Sequence, residues 1–218
     1  MDRLKCENIK ESHALFSLMF ASVQNPSFRS DYYFLPPDEI RNNADLIYAG
    51  YTNPRCALMV EASLLRKNEK VISGVTKKEF SEEDKQKKLK VSEVEIAFEG
   101  YRQRFHSGLP SRLTCLFLVD NSENGMSTLS TMLVQSNLIP YVFEVEIKEN
   151  YGLHRADKRW FEKYFKSNDE VCIKNYWEGV AFNELPAWEH LLEGAIVIVN
   201  DVDYNHICLY GSSKEPEN

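Results

Sequence analysis

Leu109-Pro-Ser-Arg-Leu-Thr-Cys-Leu-Phe-Leu-Val-Asp-Asn121, followed after a helical segment by Pro140-Tyr-Val-Phe-Glu-Val-Glu-Ile147, is the stretch that decides the fold. Leu113 to Val119 is an apolar run of strand length with no residue that favours a turn. Asp120, Asn121, Ser122 and Asn124 close it with side chains suited to capping a helix. From Met126, apolar residues recur at Leu129, Met132 and Leu133, the spacing of one helical face, and Pro140 stops that helix. Tyr141 to Ile147 then alternates, with Tyr141, Phe143, Val145 and Ile147 on one side and Val142, Glu144 and Glu146 on the other, as a half-buried strand does. Strand, helix and strand thus form one continuous block, with Arg112 at the mouth of its first strand.

Working outward, a chain of 218 residues is one domain or one domain with an extension, long enough to bury a sizeable core. A hydrophobic fraction of 43% with 27% charged residues is that of a soluble globular protein, and no apolar run is long enough to span a bilayer. Five scattered cysteines, none in a Cys-x-x-Cys pair, read as reduced thiols, which places the protein in the cytoplasm. They suggest neither a zinc site nor a disulfide frame. A net charge of −7 argues against broad nonspecific nucleic-acid binding but leaves room for a local basic face.

In chain order, Ser12 to about Val23 reads as a helix with Leu15, Leu18 and Met19 on its apolar face, so residues 1–30 form an N-terminal helical extension. Asp31 to Leu35 is a short aromatic strand ended by Pro36-Pro37. Asn53-Pro54 opens a helix, with asparagine as cap and proline in the first turn. Residues 67–90 are densely charged with mixed signs and read as a solvated insertion. Ser92-x-x-Glu95 fits a capping box, with Val91 and Ile96 as its hydrophobic staple, so a helix begins there and stops at Gly108. Ala195 to Val199 is a β-branched buried strand, and Ile207 to Tyr210 makes a last one. No internal repeat and no linker divides the chain.

An early Tyr-Tyr-Phe-Leu-Pro-Pro, then Pro-Ser-Arg-Leu-Thr-Cys-Leu-Phe-Leu with its helix, then Tyr-Val-Phe-Glu-Val-Glu, and last Trp-Glu189-His-Leu-Leu-Glu-Gly-Ala-Ile-Val-Ile-Val occur in an order that resembles the ADP-ribosyltransferase superfamily. The likeness is to its compact bacterial and phage members, such as the rifampicin ADP-ribosyltransferases, and runs from about Asp31 to Val199. The resemblance implies an α+β fold in which two small bent β-sheets grip NAD in a cleft, with helices outside. It implies cleavage of the nicotinamide–ribose bond and transfer of ADP-ribose to a macromolecular acceptor, protein or nucleic acid, with NAD as co-substrate, no metal and no membrane. A toxin or phage-conflict role would add an inhibitory partner protein.

Carried over by position, Glu189 is the catalytic carboxylate that stabilises the ribosyl cation. Arg112 is the guanidinium aimed at the NAD phosphates or ribose, Thr114 shares its strand face, Tyr32, Tyr33 or Phe34 stands where many members carry His or Arg, and Tyr176 with Trp177 stacks on nicotinamide. Ala187 occupies the place where arginine-modifying members carry Glu or Gln, which points away from an arginine acceptor. The basic residues Lys85, Lys87, Lys88, Arg102 and Arg104 make a nucleic-acid acceptor worth testing. Two rivals remain: a noncatalytic binding module of the same fold for NAD, RNA or a protein partner, and a cysteine hydrolase built on Cys115 with one of the histidines.

Overall fold

The structure is a computed structural model and describes residues 14–18, 47–49, 53–72, 79–134 and 141–202. The described chain is α+β. Its strands are β1 (Ala14–Leu18), β2 (Ile47–Tyr48), β3 (Leu116–Asp120), β4 (Tyr141–Asp157) and β5 (Trp188–Val202). Its helices are α1 (Pro54–Arg66), α2 (Glu82–Phe105), α3 (Glu123–Val134), α4 (Arg159–Ser167) and α5 (Glu170–Trp177).

All named strand pairings are antiparallel, in the order β2-β5-β3-β1-β4. β4 also pairs with β5, from Val142↔Val202 to Asp157↔Trp188, so the sheet curls until its two long strands meet. Register shifts at Glu144/Val145, Ile147/Glu149 and Asn150/Gly152 supply the bending that so long a ladder needs. A Cβ on Gly194 would collide with the Glu149 carbonyl, so only glycine fits at this irregular crossing. The resemblance implies two sheets; the described strands join in one.

The segment expected as an N-terminal helix is strand β1 over Ala14–Leu18. It lies between β3 (Leu15↔Val119) and β4 (Leu15↔Glu144), which replaces the helical extension with a central strand. A run as uniformly apolar as Ala-Leu-Phe-Ser-Leu has no decisive period, and pairing on both edges settles it. The expected strands at Asp31–Leu35 and Ile207–Tyr210 lie outside the described residues.

α1 begins as its sequence dictates, with Asn53 Oδ1 accepting from the Arg55 amide at 2.8 Å and Pro54 in the first turn. α2 begins at Ser81 and not at Ser92: Ser81 Oγ accepts from the Asp84 amide at 3.1 Å, and Glu82, Glu83 and Asp84 complement the helix dipole. Much of the expected charged insertion is therefore the first half of this helix. Ser92 and Glu95 are fully buried within it; Ser92 Oγ donates to the Leu89 carbonyl at 2.7 Å and accepts from Arg66 at 2.6 Å. α3 starts at the expected place, Ser122 Oγ accepting from the Gly125 amide. α5 ends at Gly179, whose φ of +66° is the left-handed conformation that glycine adopts without strain.

α2 and α5 bury side chains in one cluster with the sheet, and α4 packs on these two helices with Trp160, Phe161, Tyr164 and Phe165 against that cluster. Val94, Phe98, Cys115, Ala156, Ile173, Tyr176, Trp177 and Leu191 form one buried cluster. Phe98 is its centre, with ring centroids of Phe161, Tyr176 and Tyr164 at 5.0, 5.1 and 5.4 Å. Tilted and edge-on contacts of this kind add to the burial of the rings themselves. No described helix is long and apolar enough to cross a membrane.

Candidate active site

Three distant segments bring their polar side chains to one point beside Phe98. The turn before β3 supplies Arg112, the last turn of α5 supplies Tyr176, and the second residue of β5 supplies Glu189. Residue alternation along β5 turns Glu189 inward and Trp188 outward, where the Arg155 guanidinium lies 4.2 Å from the Trp188 ring centroid.

Arg112 Nη1 donates to Glu189 Oε1 at 2.6 Å, and Tyr176 Oη donates to the same oxygen at 2.6 Å. Arg112 Nη1 also meets the Tyr176 hydroxyl in a very short contact. On its other edge the guanidinium takes both oxygens of Glu95, Nε to Oε2 at 2.9 Å and Nη2 to Oε1 at 3.2 Å. Glu95 Oε1 in turn lies 2.5 Å from Arg55 Nη1. Two arginines and two glutamates thus balance, and all but Arg55 are buried: Arg112 is 1% exposed, Glu95 0%, Glu189 2% and Tyr176 0%. The Arg112 guanidinium is also enclosed by the rings of Phe161 (4.4 Å), Tyr176 (4.9 Å), Phe117 (5.2 Å) and Phe98 (5.8 Å).

Burial shapes the titration of Glu95, Arg112 and Tyr176. For Glu95 burial alone would raise the carboxyl, yet Arg112 and Arg55 hold it below the usual range. Burial would likewise lower Arg112, and the Glu95 and Glu189 carboxylates keep it firmly protonated. Burial pushes the Tyr176 phenol well up, so it stays a donor.

The segment leading into Glu189 is fixed by a second buried carboxylate, Asp157. Its Oδ1 accepts from the amides of Arg159 (3.1 Å) and Ala187 (3.3 Å), its Oδ2 from Phe182 (2.9 Å), and the Arg159 side chain reaches both oxygens. Lys158 completes the bracket by donating its amide to the Ala187 carbonyl at 3.0 Å. Burial acts to raise the Asp157 carboxyl, but these hydrogen bonds hold it below its ordinary value.

Asp157 and Glu95 are therefore both depressed in the fold, so their contribution is present above the unfolded carboxyl range and is lost as pH falls through the folded pKa. Their contribution should be flat near neutrality and fall progressively below about pH 4. Asp157→Asn should lower the plateau and make the acid limb shallower, a comparison made by denaturant midpoints across pH. An unchanged acid limb would remove Asp157 from this role.

Of the residues assigned from sequence, Arg112, Tyr176 and Glu189 come together. Thr114 does not: it is exposed in a turn, because β3 starts at Leu116 and not at Leu113. Trp177 faces the core, donating Nε1 to the Phe98 carbonyl at 2.9 Å with its ring stacked on His154 at 5.6 Å, so its surface is not open to a nicotinamide. Tyr176 presents its hydroxyl to Glu189 and its ring to Phe98, which corrects the stacking expected of it. Arg112 is enclosed by carboxylates and rings, which leaves it an orienting partner for Glu189 in place of a phosphate grip. Tyr33 lies outside the described residues. Cys115 is buried and its thiol pushed far up by burial, contrary to what a nucleophile needs. The basic residues of α2 include Arg102, whose guanidinium is held by Glu99 at 2.6 Å.

Residues 38–204 match the family described as protein of unknown function (DUF2441). The chain belongs to this family. The matched span contains every member of the buried cluster, together with Asn53 and Asp157, while β1 of this DUF2441 chain lies before it. No curated protein matches the chain.

Sequence reasoning missed Glu95 and Arg55. For Glu95 a signal existed: Val91, Val94, Glu95 and Phe98 fall at i, i+3, i+4 and i+7, which puts a carboxylate in the apolar stripe of a helix. Such a carboxylate needs a buried cation. Asp157 left no comparable mark, since its partners are mostly backbone amides.

Proposed function

We propose that this DUF2441 chain is an NAD-dependent mono-ADP-ribosyltransferase that cleaves the nicotinamide–ribose bond and transfers ADP-ribose to a macromolecular acceptor, protein or nucleic acid. The supporting observation is the state of Glu189. Its Oε1 is held by Arg112 and Tyr176, while no donor among the described residues meets Oε2. A carboxylate fixed through one oxygen presents the other with a defined direction, suited to a ribose hydroxyl and to the positive charge that develops as nicotinamide leaves. Arg112 and Tyr176 would orient it. The residues fit the ribose end of NAD in kind; no phosphate-binding residue is assigned, since Arg112 is committed to two carboxylates. An NAD cleft of the superfamily type, formed on the one curled sheet that the described strands make, and action in the cytoplasm belong to the same proposal. Incubation with labelled NAD, alone and with cell lysate, tests it: release of nicotinamide with label on a macromolecule supports the reading, and neither product in any lysate sinks it.

The acceptor follows from Ala187, whose backbone is tied to Asp157 and Lys158 and whose side chain is a methyl group. An arginine acceptor needs a partner to orient it and take its proton, since the free guanidinium titrates only above about 12. Free arginine and agmatine should accept no ADP-ribose while a lysate component does; agmatine labelled as fast as lysate would reverse this. Of the basic residues Lys85, Lys87, Lys88, Arg102 and Arg104, three are paired with Glu82, Glu61 and Glu99, so nuclease and protease digestion of the labelled lysate should be run side by side.

One observation favours a second reading, a noncatalytic module of the same fold: Glu189 is only 2% exposed. On that reading the cluster holds the fold together and the chain binds NAD, RNA or a protein without turnover. Calorimetric NAD binding without nicotinamide release would select it.

A further inference from the structure

The turn that carries Arg112 is not held by the sheet. β3 begins at Leu116, so the carbonyls of Arg112, Leu113 and Cys115 find no ladder partner, although Arg112 and Cys115 are buried. Buried carbonyls require donors, and all three are supplied from the start of α1. Asn53 Nδ2 donates to the Arg112 carbonyl at 2.8 Å and to the Cys115 carbonyl at 2.8 Å, and Cys56 Sγ lies 2.8 Å from the Leu113 carbonyl. Asn53 is itself only 2% exposed, and its Oδ1 caps α1 through the Arg55 amide. Arg55 then reaches Glu95, which grips the Arg112 guanidinium. Asn53 therefore fixes Arg112 at its backbone, while Arg55, two places on, bears on the Arg112 side chain only through Glu95.

We infer that Asn53 is a positioning residue for the Arg112–Glu189–Tyr176 cluster, acting on Glu189 through Arg112 and distinct in this from its capping of α1. Among the described residues its amide is the side-chain group that holds both the Arg112 and the Cys115 carbonyls, beside the turn's own bond from the Cys115 amide to the Ser111 carbonyl at 2.8 Å. A helix cap alone calls for Ser, Thr or Asp equally well; only the carboxamide offers both an acceptor for the cap and two donors for the carbonyls. The kinetic part of the inference rests on the transferase reading, and the structural part does not.

Two substitutions separate the roles. Asn53→Ser keeps a capping oxygen but is too short to reach the carbonyls. Asn53→Asp keeps cap and length but points an acceptor at two acceptors. Ser81→Ala, which removes the cap of α2 far from the cluster, is the control for a general loss of stability. The readout is the Nε–H resonance of Arg112 in 15N-arginine-labelled protein. It should be slow to exchange in the wild type, and shifted and faster to exchange in Asn53→Ser and Asn53→Asp, with no change in Ser81→Ala. In the wild type the two Asn53 side-chain amide protons should also be protected, a measurement that needs no variant to fold. With NAD, kcat should fall about 10- to 100-fold with KM nearly unchanged, the cost of a misplaced reacting group. An Arg112 resonance untouched in both Asn53 variants, or unprotected Asn53 amide protons, overturns the inference. A wild type without turnover whose Arg112 resonance responds to Asn53 sinks the transferase reading and leaves the positioning role standing.

Discussion

Arg112→Ala should cost about 3–5 kcal/mol of folding stability, the loss that follows when one partner of a buried ion pair is removed. The reason is the number of groups left behind. Among the described residues Glu95 would keep only Arg55 and Glu189 only the Tyr176 hydroxyl, and both carboxylates are buried. Arg112→Lys should recover only part of the loss: an ammonium holds the charge but cannot span Glu95 and Glu189 in one plane as the guanidinium does. Arg112→Met combined with Glu95→Gln and Glu189→Gln should be more stable than Arg112→Ala alone, since no buried carboxylate is left short of a partner and the one charge that remains, Arg55, is partly exposed. Urea denaturation of the three proteins decides the point. An Arg112→Ala protein within about 1 kcal/mol of wild type, the range of an exposed pair, would mean that the cluster is open to water in solution.

This cluster shows which parts of the molecule the sequence could reveal. Arg112 and Glu189 stand at element boundaries with a distinctive neighbourhood, Pro-Ser-Arg before an apolar run and Trp-Glu before a β-branched one, so each could be singled out alone. That they neutralise each other could not be read, because their separation of 77 residues carries no local pattern. The Ser92-x-x-Glu95 motif failed for a related reason: capping boxes and buried polar contacts draw on the same residue types. Here Ser92 serves Arg66 and Glu95 serves Arg112. α1, α3 and parts of β4 and β5 were legible because capping residues, alternation and β-branched runs act locally; that β4 runs on from Ile147 to Asp157 and that β5 starts at Trp188, ahead of Ala195, was not. β1 was not, because it is a strand only by virtue of β3 and β4 on its two edges. Trp177 was misassigned on composition: an aromatic beside a helix stop suits a ligand platform and a core equally, and its hydrogen bond to the Phe98 carbonyl decides for the core.

Glu189→Gln should lower turnover at least 100-fold, in the range seen when one stabiliser of transition-state charge is removed. NAD affinity should change little, because the amide NH2 that takes the place of Oε2 can donate to a ribose oxygen, and what is lost is the charge that matters as nicotinamide departs. The same substitution has a structural consequence that must be measured beside it. Arg112 would retain Glu95, and the carboxamide oxygen that replaces the carboxylate could still accept from Arg112 and Tyr176. The stability loss should therefore stay near 1–3 kcal/mol, roughly that of weakening a charged hydrogen bond. The two quantities separate the two readings of the cluster. A catalytic Glu189 gives a folded variant that binds NAD and does not turn it over, and Glu189→Asp, with a shortened reach, is also impaired. A purely structural Glu189 gives a variant whose nicotinamide release equals that of wild type once matched for folded protein. That outcome would move the chemistry to another residue while leaving the Arg112 network as the reason the fold holds.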